Sequence, residues 1–86
     1  MPNWNRTIDL KAAREQYEKD KNFPVYRDAI VEAIEKSGWL ADTPYPDTLR
    51  DHLGALKAAE TAGDGYAVWE AIYDVADEDR VWIETF

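Results

Sequence analysis

Tyr66-Ala67-Val68-Trp69-Glu70-Ala71-Ile72-Tyr73-Asp74-Val75-Ala76 is the most apolar segment of the chain, and the fold turns on it. Val68, Trp69, Ile72, Val75 and Ala76 recur at helical spacing and make one broad stripe, flanked by Tyr66 and Tyr73. The spacing predicts a central helix, with Asp64 as its N-cap and with Trp69 and Tyr66 in the core. The C-terminal stretch Asp77-Glu78-Asp79-Arg80-Val81-Trp82-Ile83-Glu84-Thr85-Phe86 reads two ways. Ile72, Ala76, Asp79 and Ile83 extend a helical face, whereas Val81, Ile83 and Thr85 alternate as a strand would. A strand needs a partner, and Trp4 to Ile8 is the segment at hand.

Three more helices lead up to this one. Leu10, Ala13 and Tyr17 place a thin apolar stripe on a first helix, with Thr7 or Asp9 as its cap. Pro24 suits the opening turn of a second, whose face is Tyr26, Ile30, Ala33 and Ile34. Gly38 sits where a left-handed residue ends a helix, and Trp39 comes next, positioned to fold back on the last turn. Asp42-Thr43-Pro44-Tyr45-Pro46 is a stiff connector. Asp47 or Thr48 caps a third helix with Leu49, Leu53 and Leu56 on its face. Gly54 lies inside that helix and suggests close approach by a neighbour. Ala62-Gly63-Asp64-Gly65 marks a turn. The expected fold is therefore all-α: a compact bundle of about four short helices. Its C-terminal segment is either a short helical turn or a strand paired with the N-terminal segment.

The 86 residues suffice for one domain, 1-86, and eleven aromatics supply a small core. The absence of cysteine excludes disulfides, thiolate metal sites and cysteine nucleophiles. No apolar run approaches the ~18 residues of a membrane span, and Met1-Pro2-Asn3-Trp4-Asn5-Arg6 lacks the pattern of a signal peptide. The expected location is cytoplasmic. Residues 1–40 carry seven acids and seven bases, whereas residues 41–86 carry eleven acids and three bases, so the net charge of −8 belongs to the second half. That balance argues against direct contact with nucleic acid or an anionic membrane.

No catalytic set emerges. Ser37 is the sole serine and His52 the sole imidazole, with no acid placed to orient that base. Gly63-Asp64-Gly65 lacks the further glycine and the preceding strand of a phosphate loop. Asp47, Asp51 and His52 do not share one tight helix face, because adjacent positions point about 100° apart. The acids around Asp77 lack the spacing of a calcium loop. Four short helices rarely enclose the ~300 Å³ of a ligand pocket. The expectation is a protein that is not an enzyme and takes no metal or cofactor.

Two surfaces remain. Glu70, Asp74, Asp77 and Glu78 fall at i, i+4, i+7 and i+8, one face of a helix with carboxylates about 5–6 Å apart, comparable to phosphates along a nucleic-acid strand. With Asp79, and with Asp64 and Glu60 at the margin, they form an acidic candidate for binding a protein partner with a basic surface. Trp4, Tyr45, Trp82 and Phe86 form an aromatic alternative, for self-association into a homo-oligomer or for adaptor docking. In size, acidity and lack of cysteine, though in no residue motif, the chain resembles the small inhibitors that phages encode. Some of those, including certain anti-CRISPR and anti-restriction proteins, present acidic surfaces to nucleic-acid-binding sites, and the resemblance implies an inhibitor of that kind.

Overall fold

A computed structural model describes residues 6–84. A short strand, β1 (Arg6–Asp9), leads into α1 (Lys11–Asp20), α2 (Phe23–Lys36), the single turn α3 (Trp39–Asp42), α4 (Pro46–Ala58) and α5 (Ala62–Asp79), and β2 (Val81–Glu84) ends the described chain. The molecule is mostly helical, in line with the expected bundle, with five helices among the described residues where about four are expected and a short two-stranded sheet beside them. The C-terminal segment takes the strand alternative and pairs with the N-terminal one. The pairing is parallel, with Ile8 opposite Ile83, so the whole helical body is the crossover between the two strands. Leu10 N–H donates to Glu84 O at 2.6 Å and extends the ladder past β1. Ile8, Val81 and Ile83 face inward and join the core formed by Ile30, Ile34, Trp39, Leu49, Leu53, Leu56 and Ile72.

Helix ends obey local chemistry. Pro24 sits in the first turn of α2, and the Asn22 side chain accepts from Val25 N–H. Gly38 has φ 83°, the left-handed conformation expected of it. Beyond it the chain does not simply fold back. It makes the extra turn α3, which buries Trp39 completely. Pro46 opens α4, with Tyr45 at the N-cap in place of the expected Asp47 or Thr48. At α5 the cap is Thr61, whose Oγ1 accepts from Asp64 N–H at 3.2 Å. The Ala62–Gly65 stretch is therefore the first turn of the helix rather than a loop.

The glycines trade expected roles. Gly54 is exposed, and a methyl group there would meet nothing within 4 Å. Close approach occurs at Gly65 instead, where the Phe23 ring lies on the helix backbone. A Cβ on Gly65 would stand 3.0 Å from Phe23 Cε1 and 3.2 Å from Cε2, and closer still to Cζ. Missing side-chain volume at Gly65 thus lets α2 and α5 touch. Exposed Gly→Ala in a helix gains about 1 kcal/mol, whereas overpacking costs about 1–3 kcal/mol. Gly54→Ala is accordingly expected to raise the melting temperature, and Gly65→Ala to lower it. Equal shifts, or the reverse order in thermal denaturation, would contradict this packing.

Candidate functional site

α5 is the longest helix, and its two sides differ in kind. Gly65, Ile72, Val75 and Ala76 are buried against the core, with Val68 and Trp69 half-buried beside them. At about 100° per residue, Glu70, Asp74, Asp77 and Glu78 fall on the opposite side, and all four are exposed. Among the described residues none of these four carboxylates forms an ion pair, although cations elsewhere do. Arg6 pairs with Asp42, Arg14 with Glu18, Lys57 with Glu35 and Arg50 with Asp47.

The row is electrostatically uncomfortable. Glu70 and Asp74, and Asp74 and Glu78, are like-charge pairs at i, i+4, each unfavourable by about 0.2–0.5 kcal/mol. Asp77 and Glu78 lie in the last turn, where the helix macrodipole disfavours anions by about 0.3–1 kcal/mol each. Running α5 through to Asp79, rather than ending it near Ala76, places them there.

Asp79 has a different job from its neighbours. It is half-buried and turned inward, and its Oδ2 accepts from Trp39 Nε1–H at 2.8 Å and from Thr43 Oγ1–H at 2.6 Å. Thr43 Oγ1 in turn accepts from Tyr45 N–H at 3.1 Å. The fifth acid of the expected site is thus engaged within the fold. Asp64 is exposed on the first turn of α5, about a third of a turn around the helix from Glu70, and Glu60 lies in the linker before it. Neither belongs to the row.

Of the aromatic alternative, Trp4 and Phe86 lie outside the described residues. Tyr45 and Trp82 are 47% and 44% exposed, Tyr45 at the start of α4 and Trp82 on the outer side of β2. His52 is half-buried in α4, and among the described residues no group of three or more His, Asp or Glu is placed to hold a metal ion. No described helix is long and apolar enough to cross a membrane.

One feature is absent from the expectations that the sequence supports. A groove of about 330 Å³ opens between α1, α2 and the start of α5, walled by Tyr17, Phe23, Tyr26, Tyr66 and Trp69. It is half open to solvent, so the helices form a groove of this size without enclosing it. Tyr66 is 63% exposed, which corrects its assignment to the core. Tyr17 stacks on Tyr26 with ring centroids 4.9 Å apart, and Trp69 meets Tyr73 edge-on at 5.9 Å. Arg14 closes the α1 side. Partial burial works against its charge, but the Tyr26 hydroxyl and Glu18 outweigh that and raise its pKa. The available signal was aromatic density: Tyr17, Phe23 and Tyr26 on two consecutive helices exceed what a thin stripe can bury. Compared with family models, curated proteins and solved structures, the chain matches none.

Asp79→Ala would strand two buried donors, at about 1–3 kcal/mol for each unsatisfied group. Asp79→Asn keeps an oxygen acceptor and should lose markedly less. Urea unfolding at constant m-value checks this. A silent Asp79→Ala would show that the carboxylate is not a structural acceptor.

Proposed function

We propose that the protein is a binding module that docks the outer face of α5 on a basic surface of another protein, in the position a nucleic-acid strand would take there. One observation carries this reading: Glu70, Asp74, Asp77 and Glu78 line one exposed helix face with no described cation paired to them. Residues three and four apart on a helix have Cβ atoms about 5–6 Å apart, comparable to successive phosphates along a nucleic-acid strand. Lys and Arg of a partner would relieve the repulsion within the row. The concentration of charge would also steer encounter and fix register more than it adds raw affinity. On this reading the protein acts as an inhibitor by occupancy, not as an enzyme. A second reading rests on the exposure of Tyr45 and Trp82: adaptor docking or self-association through an aromatic surface, which would tolerate salt and fail on Trp82→Ala.

Capture from lysate on the immobilised protein, at low and high salt with identification by mass spectrometry, separates the two. The acidic reading expects a nucleic-acid-handling protein held at low salt and released as the Debye length shrinks from about 10 Å at 0.1 M towards 3 Å at 1 M. It also expects no capture by the variant carrying Glu70→Gln, Asp74→Asn, Asp77→Asn and Glu78→Gln. That variant should melt no lower than the parent, because the substitutions remove like-charge pairs and misplaced anions. Retention through high salt, or undiminished capture by the variant, would overturn the reading.

A further inference from the structure

The groove ends on α5 where the acidic row begins: Trp69 lines it and Glu70 is the next residue. Around α5 from the groove side come Gly65 and Trp69, then Tyr73 and Tyr66, then Asp77 and Glu70, and then Asp74. Along the axis Glu70 adjoins the groove, next to Trp69 and one turn beyond Tyr66, and Asp77 follows about 10 Å further on along the same side. We infer that the groove between α1, α2 and α5 receives an apolar side chain of a basic peptide segment, Trp, Phe or Leu, while a Lys or Arg beside that anchor meets Glu70 and another, a few residues along the segment, meets Asp77. The inference rests on the docking role proposed for the acidic face and names the chemistry of the segment bound there.

Charge complementarity selects this occupant. The α5 border of the groove leads to Glu70 and, further along the helix, to Asp77, both without described ion partners, so cations following the anchor gain contacts there. The α1 border offers Arg14, which already pairs with Glu18 at 3.2 Å and lies 5.9 Å from the centre of the Tyr17 ring, and Lys21, just past α1, stands 5.6 Å from the same ring. With cations already on Tyr17, the groove does not suit a cationic head group inside it. It suits an uncharged anchor inside and cations on one flank. At about 330 Å³ it lies at the lower end of the range for small-molecule sites, about 300–1,000 Å³. Tyr and Trp are the side chains most often found at the energetic centre of protein interfaces, and Tyr66 stands at its rim with 63% of its surface exposed.

The test is selection from a displayed library of random short peptides on the immobilised full chain. Enriched peptides should carry a Trp, Phe or Leu close to two or more Lys or Arg. Tyr66→Ala should weaken the synthesised peptides about tenfold or more, as loss of an interface anchor does. Ala62→Trp, which fills the groove from its rim, should do the same, with the helical circular dichroism of both variants intact. Glu70→Gln with Asp77→Asn should weaken binding a few-fold at low salt and little at high salt. Purely basic peptides that respond to Glu70 and Asp77 but ignore Tyr66 and Ala62 would overturn the inference and leave the acidic docking face standing. Apolar peptides without cations, indifferent to Glu70 and Asp77, would overturn both. Absence of any enriched peptide would overturn the inference as well.

Discussion

The carboxylate of Asp79 is the point on which the architecture closes. Trp39 is the largest fully buried side chain among the described residues, and its indole N–H needs an acceptor away from water. Asp79 supplies one and takes the Thr43 hydroxyl as well, which pins the α3 turn to the end of α5. With that end fixed, Arg80 turns the chain through φ 57° and Val81 enters β2 beside β1. Arg6 of β1 then reaches back to the same region, donating to Ser37 O at 2.7 Å and pairing with Asp42. Both ends of the described chain and the α2–α3 corner thus meet around one polar node. An acid at a helix C-terminus is ordinarily unfavourable. Here two hydrogen bonds to a charged acceptor, each worth about 1.5–3 kcal/mol, more than offset it.

Fixing α5 from within leaves its outer face with no structural duty. Asp79, Ile72, Ala76 and Gly65 anchor the inner side, against Trp39, the core and the Phe23 ring. Glu70, Asp74, Asp77 and Glu78 stabilise nothing that the structure shows, and their mutual repulsion works against the helix that carries them. A rigid scaffold presenting a self-repelling row suits electrostatic recognition, since a cationic surface gains what the isolated protein lacks. The aromatic groove beside the row would add a contact of known shape to an attraction that has direction but little selectivity.

Periodicity made the helices legible. Leu49, Leu53 and Leu56 of α4, and Ile72, Val75 and Ala76 of α5, are buried as their spacing requires, and Gly38 ends α2 in the conformation glycine favours. The strands were legible only as an alternative, because four residues such as Val81–Glu84 satisfy a helical and an alternating pattern almost equally. What decided between them is a contact between residues at opposite ends of the chain, which no local window contains. The same limit hid the role of Asp79, whose partners lie 36 and 40 positions away. Local sequence puts close approach at Gly54 rather than Gly65 for a related reason: a glycine's neighbour is set by tertiary packing, and Phe23 belongs to another helix. The acidic row itself was visible, since four carboxylates at helical spacing need no tertiary information. The groove was not, because Tyr66 and Trp69 look like core until α1 and α2 are set beside them.

On the proposed reading a basic partner meets the α5 row, and not the acidity of the chain at large. Titrating the isotope-labelled protein with an oligolysine peptide, and tracking backbone amide shifts by nuclear magnetic resonance, tests this without knowledge of the partner. Shifts should concentrate on residues 66–78, saturate, and vanish at high salt. Shifts spread evenly over the other exposed acids, Glu15, Asp28, Asp47 and Asp51 among them, would contradict it and reduce the row to part of a uniformly solvated surface.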